Sequence, residues 1–467
     1  MLNQHKVFLR SLAAITMISV ILLTSAVPAA QATYGSGSNE NMSTASNGVT
    51  ISKQDTLFPS IVAMRAPPEE EKVLVVKATL VGAPWDVDTN DLESLFVNGV
   101  KSYYLEVSYN QVFMNTTYMS KTYQMSHDEG QYTGSAVEQL IQEALTAAQT
   151  DVNALGGYQT FRHIIVVHSG TDRAATHNPT DITSEYVYNG LGALFTIGGV
   201  KIMNACIVAE SDPLGVVVHE LGHSQGLPDL YNYATSGTGD TFVGQWDLMA
   251  TGSWNPGGQG TSPSHLSTWC KYKLGWIEPT QIVNITQSSI ASGYNATILL
   301  NPQEVQNPIL VIKILLSNGT YYMIEDRLKT GYDSALPGSG VLVFFCNDSK
   351  DSGMGPARLV SAHPPSLGAD AAYNVGYFTV PFFGDTHADI GVKVINKWSN
   401  GTYEIFIGRY SSALNEPTEY QDTTIPLIVM IGGIAVLVLV AVIVYLKKGR
   451  QRNRASVYES VPVIKLS

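Results

Sequence analysis

D-P-L-G-V-V-V-H-E-L-G-H-S-Q-G-L-P-D, residues 212–229, is the stretch on which the rest of the chain is read. At its centre stand His219, Glu220 and His223 in the H-E-x-x-H pattern of a zinc-dependent hydrolase. Two histidines four apart on an α-helix lie one turn above the other, so both rings can reach a single ion. Glu220 then points near the open coordination position, where a carboxylate can take a proton from water and pass it to a leaving amine. Asp212 is the expected N-cap and Pro213 suits the first helical position. Leu214 to Val218 is the apolar far side. Gly226 offers a break and Leu227-Pro228 argues against continuation. Beyond that turn Asp229 can return as a third ligand, an oxygen beside two imidazoles that leaves the fourth position to water.

Downstream, Gly244-Gln-Trp-Asp-Leu-Met-Ala-Thr-Gly252 is a tight segment with Met249 near its middle. Taken alone, Met249 reads as ordinary core. H-E-L-G-H-S-Q-G-L-P-D-L-Y, G-Q-W-D-L-M-A-T-G-S-W and H-L-S-T-W-C-K-Y-K-L-G-W together resemble the immune inhibitor A family of secreted metallopeptidases. Tyr321 to Arg327, Gly331-Tyr332-Asp333 and Leu336 to Gly340 extend the resemblance, and Ser102 to Tyr109 is similar more weakly. The likeness spans roughly residues 72–345. It implies a zinc endopeptidase of the metzincin type, with one Zn2+, His219 and His223 as ligands, Glu220 as catalytic carboxylate and Met249 in a turn flooring the zinc histidines. Protein or peptide substrates follow. Aspartate stands where many metzincins carry a third histidine, so Asp229 takes that role by position. Some metzincins carry a tyrosine two residues after that methionine; Thr251 stands here, so no tyrosine role transfers to it.

The implied fold class is α+β: a metzincin-like catalytic domain, in which a twisted sheet carries the active-site helix, followed by a β-rich C-terminal module and a single transmembrane helix. Lys72 to Val81 reads as a central strand and His163 to His168 as a second buried one. Asp91 to Val107 has helical spacing, and Ser135 to Glu138 reads as a capping box opening a helix to about Gln149. Gly198 to Glu210 reads as an edge strand leading into the zinc helix. His127, His163, His168 and His177 lack ligand spacing and read as structural or exposed. Asp240 and Asp247 offer carboxylates for Ca2+, but without the spaced acidic pattern of a calcium loop they read as surface groups in a turn. Tyr231, just past Asp229, reads equally as a support for that ligand or as packing.

The boundaries expected are 1–32 for a cleaved signal peptide, 33–71 for a flexible leader or short pro-segment, and 72–281 for the catalytic domain. A β-rich module follows over 282–408, then a polar tether over 409–424. Residues 425–446 form an apolar run of 22, enough to span a hydrocarbon core of roughly 30 Å. The basic tail 447–467 places that end in the cytoplasm, giving a type I single-pass protein whose partners include the lipid bilayer. A formal net charge of −12 argues against nucleic acid as a partner. Asn41, Asn115, Asn284, Asn295, Asn318, Asn347 and Asn400 head N-x-S/T sequons and read as glycosylation acceptors of an exported chain. Cys206, Cys270 and Cys346 allow at most one disulfide and exclude a disulfide scaffold. A non-enzymatic surface or adhesion module on an inactive protease fold is the competing class.

Overall fold

The β-branched run at Lys72 becomes β1 (Glu69–Thr79) in a computed structural model that describes residues 69–418, without 191, 236–241 and 377–378. β2 (Val112–Gln124), β3 (His163–His168), β4 (Glu185–Tyr188) and the short hairpin β5 (Phe195–Ile197) and β6 (Val200–Ile202) lead to β7 (Asn204–Ala209). The main sheet runs β2-β1-β3-β7-β4. β1 is parallel to β2 and β3, β3 is parallel to β7, and β4 closes one edge antiparallel to β7. Strands covered on both faces need continuous apolar sequence, and Val73 to Val76 are wholly buried.

Alternate β1 side chains enter opposite cores, as the period of a strand requires. Leu74 and Val76 pack with Leu140, Ile141 and Ala144. Val73 and Val75 pack with Val217, Val218 and Leu221 on the other face. The helices that bear on the site are α1 (Thr89–Ser94), joined by a π-helical turn at Leu95–Gly99 to α2 (Val100–Val107), then α3 (Val137–Ala154), α4 (Leu214–Ser224) and α5 (Thr268–Lys273). α3 therefore covers one face of the sheet, and α2 and α4 the other. The Tyr104 hydroxyl donates to the Val218 carbonyl at 3.0 Å, tying α2 to α4.

The β-rich part forms two further sheets. β8 (Ile282–Thr286), β9 (Ala296–Leu300), β10 (Val311–Leu315), β11 (Tyr321–Arg327), β12 (Gly340–Cys346) and β13 (Ala357–Leu359) come first. β14 (Phe382–Asp385), β15 (Ile390–Lys397) and β16 (Tyr403–Gly408) complete them. The orders are β13-β12-β11-β10-β8 and β14-β15-β16-β9. Ile312, Ile324 and Val343 pack against Val392, Ile405 and Ile407 of the outer sheet. Met323, Leu342 and Phe344, on the opposite face, join the core that holds Met249 and Leu221. One sheet thus serves two cores, and every residue of β11 is buried.

Charge is buried on this inner face too. Arg327 has no exposed side-chain surface; it makes a two-pronged contact with Asp333 at 2.7 and 2.8 Å and reaches Glu325 at 3.1 Å. Its third direction goes to the Trp246 carbonyl at 2.6 Å. Burial acts to raise the Asp333 pKa, but the Arg327 and His265 charges outweigh it and hold the carboxyl below its ordinary value. The Glu325 carboxylate accepts the Thr268 N–H and hydroxyl, both at 2.6 Å. β11 therefore grips the segment that carries Met249.

Several expectations give way to tertiary contacts. Asp212 does not cap α4: Pro213 holds that position, and the Asp212 carboxylate turns back to accept from Ser184 and from the Ala209 N–H at 2.8 Å. No side chain caps α3, which starts from a short 3-10 turn at Gly134–Ala136 rather than a capping box. Gly198 to Glu210 is not one edge strand; β7 is interior and β4 is the edge. Asp247 is no surface carboxylate, being fully buried and accepting from the Met249 and Ser267 N–H groups. Asp240 lies outside the described residues, as do Asn41 and the segments 1–32, 33–68 and 419–467, which include the apolar run 425–446. Among the described residues no helix is long and apolar enough to cross a membrane. Asn115, Asn284, Asn295, Asn318 and Asn400 are exposed and Asn347 is half-buried. The three cysteines are free and buried.

Removing one member of a buried ion cluster strands its partners, at a cost of about 3–5 kcal/mol. Arg327→Met is expected to lower unfolding stability by that amount, read as a lower urea midpoint at unchanged slope.

Candidate active site

Helix α4 sits where it does because Gly215 lets it. A Cβ there would lie 1.7 Å from the Ser253 carbonyl oxygen, and the Gly215 N–H donates to Gly260 at 2.8 Å. Val217, Val218 and Leu221 face the core, which turns His219 and His223 toward the opposite side. Gly222, between them, leaves room for Met249: a Cβ there would meet the methionine sulfur at 2.6 Å. Met249 is fully buried beneath the helix, and its carbonyl accepts the Leu230 N–H at 2.7 Å.

Each ring is fixed by a backbone carbonyl. His219 Nδ1 donates to Leu248 at 2.9 Å, and His223 Nδ1 donates to Leu227 at 2.8 Å. A carbonyl only accepts, so Nδ1 carries the proton and Nε2 keeps its lone pair for another partner. The chain leaves α4 through Gly226, at φ +100°, and brings Asp229 back. Asp229 Oδ1 lies 3.1 Å from His219 Nε2 and 3.2 Å from His223 Nε2. The three ligand atoms fall within 4.8 Å of one another.

The electrostatics suit a cation. Burial alone would raise the Asp229 pKa, yet the hydrogen bonds it accepts when the imidazoles are protonated hold it well below the carboxylate range. Burial alone would lower His219, but the Asp229 hydrogen bond and the Glu220 charge raise it to about 9. Positive charge is wanted here, and a divalent ion supplies it without protons. Two neutral imidazoles and one carboxylate are a donor set that zinc accepts. The residues fit the metal. Glu220, next to His219 on α4, is 6% exposed, and burial raises its pKa to about 7 against the opposing charges of His219 and His223.

Other neighbours come from separate elements. The Tyr231 ring lies nearly parallel to His219, 6.4 Å away between centroids. Tyr186 of β4 stacks on His223 at 6.1 Å. Tyr233 donates its hydroxyl to Asp229 Oδ2, and Ser352, far along the chain, accepts the Asp229 N–H at 2.9 Å. Sequence reasoning missed the last three. Tyr233 has the faint signal of standing four residues past a ligand, and Ser352 has none. His163 and His168 are buried and absent from the ligand cluster: His163 lies between Glu71 and Ser224, and His168 binds the Ser169 carbonyl.

Residues 148–277 match the model of the immune inhibitor A peptidase M6 catalytic domain. That is a zinc metalloendopeptidase family, and the matched span holds α4, Asp229 and Met249. The pre-pro-metalloprotease PrtV of Vibrio cholerae serotype O1 (strain M66-2) is 46% identical over 138 residues, 29% of this chain and 14% of its own length. Immune inhibitor A of Bacillus thuringiensis subsp. alesti is 28% identical over 136 residues, 26% of this chain and 20% of its own. The chain thus spans between about a seventh and a fifth of the curated relatives it matches. OgpA of Akkermansia muciniphila, a solved structure, aligns over 64% of this chain and 96% of its own at 12% identity, with a TM-score of 0.28 that is too low to bear on the fold.

Gly215→Ala would force backbone apart from backbone. It is expected to destabilise the protein by at least about 3 kcal/mol, the upper end of overpacking costs, measured as a fall in denaturation midpoint.

Proposed function

We propose that this chain is a zinc-dependent endopeptidase acting on protein or peptide substrates. The observation that carries the proposal is the convergence of His219 Nε2, His223 Nε2 and Asp229 Oδ1 within 4.8 Å, beside a buried Glu220. In this reading those three residues hold one zinc ion and leave a position open. Zinc held by such a set supplies Lewis acidity, which acidifies water and polarises a peptide carbonyl.

The protein's own groups do the rest. Leu248 and Leu227 carbonyls fix both imidazole tautomers, so Nε2 is the nitrogen left free in each neutral ring. Glu220 takes a proton from the attacking water at its carboxylate and returns it to the amide nitrogen that leaves. Met249 and Gly222 keep the floor under the helix apolar and tightly packed, which excludes water from behind the site.

We assign catalysis to residues 72–281 and a bracing role to the β-rich 282–408, supported by the face of its inner sheet that enters the catalytic core. We also assign export through 1–32 and a bilayer anchor to 425–446, on sequence grounds alone. Calcium has no support at Asp247, whose carboxylate is occupied by backbone amides.

Glu220→Ala is expected to retain zinc while casein hydrolysis falls about 10²–10⁴-fold. Full activity in that variant, or chelator-resistant activity in the wild type, would remove the proposal. Deleting 425–467 is expected to move the protein from the membrane fraction to the soluble one; unchanged fractionation would dismiss the anchor.

A further inference from the structure

Asp229 is gripped from a distant part of the chain. Its N–H donates to Ser352 Oγ at 2.9 Å, and its carbonyl accepts the Gly353 N–H at 3.1 Å. The Gly353 carbonyl in turn accepts the Tyr233 N–H at 3.2 Å. The Tyr233 hydroxyl closes the ring, donating to Asp229 Oδ2 and lying 2.9 Å from Ser352 Oγ. Every polar group of Asp229 except Oδ1 is thus occupied, and Oδ1 is the atom that faces both imidazoles.

A free carboxylate rotates and offers either oxygen. One whose second oxygen and both backbone groups are tied presents a single atom in one direction. The loop that does this is itself anchored. It joins β12 to β13, and its Asp348 is held by Lys273 of α5 at 2.7 Å and by the Tyr321 hydroxyl at 2.8 Å. Gly353 is required: at φ +68° its added Cβ would stand 2.2 Å from the Tyr233 ring.

We infer that Ser352 and Gly353, with Tyr233, are positioning residues for the metal centre, so that the β-rich module completes the site. The inference rests on the zinc-binding reading above. It makes the loop between β12 and β13 part of what sets metal affinity, although it supplies no ligand and lies outside the span matched to the family model.

The test uses the full chain and four variants: Ser352→Ala, Tyr233→Phe, Ser352→Thr and His219→Ala. Zinc affinity is measured by competition with a chromogenic chelator, alongside the visible spectrum of the cobalt-substituted protein and the melting temperature of the metal-free form. Ser352→Ala and Tyr233→Phe are each expected to weaken zinc binding about 10–100-fold, as loss of ligand-orienting contacts does. The cobalt bands should shift, the metal-free melting temperature should hold, and Ser352→Thr should restore affinity. Zinc affinities within about threefold of wild type for both variants would overturn the inference while leaving the zinc site intact. An affinity loss matched by an equal loss of metal-free stability would also overturn it. Undiminished zinc binding in His219→Ala would instead bring down the metal reading, and this inference with it.

Discussion

A guanidinium sealed from water must be met by acceptors on every side, and the placement of Arg327 carries that demand through the molecule. Asp333 and Glu325 meet its charge, and the Trp246 carbonyl meets its remaining N–H direction. Because Glu325 also holds Thr268 and Asp333 also holds the His265 N–H, one cation fixes the backbone both at Trp246 and over 265–268. Between those stretches runs the turn with Met249. Dispersion alone would tolerate sliding between a helix and its floor. A buried ion cluster does not, since any shift leaves a charge unpaired at several kcal/mol.

Above that floor the three candidate ligands are set by devices of different range. Helical periodicity stacks the two histidines. The left-handed glycine at 226 reverses the chain so that Asp229 returns over them. The last increment of order, which oxygen of Asp229 faces inward, comes from Tyr233 four residues on together with Ser352 more than a hundred residues away. Short-range order supplies approximate placement, and long-range contacts complete the orientation.

That division explains what was legible in the sequence. The spacing of His219, Glu220 and His223, the turn at Gly226 and the buried runs at β1 and β3 are local, and the structure has them where pattern reading puts them. Met249 stands out only by resemblance, and its reason, the missing Cβ of Gly222, is a contact made across the fold. Asp212 and Ser135 failed as caps because a cap is a competition. Ser184 and the Ala209 N–H claim the Asp212 carboxylate, and α3 begins from a 3-10 turn instead. Asp247 looked like a solvated turn residue, since nothing in its neighbours announces the amides of Met249 and Ser267. The similarity over Tyr321 to Arg327 and Gly331 to Asp333 was visible as a string of letters. Its physical content, a buried cation with its counter-ions, was not.

The three thiols have a consequence of their own. Cys206, Cys270 and Cys346 are each enclosed, and burial pushes all three well above the ordinary thiol range, so the nucleophilic thiolate is scarce at neutral pH. Among the described residues the fold is braced by ion pairs and packing, which thiol–disulfide exchange does not touch. There is no covalent sulfur link among the described residues for a reductant to break.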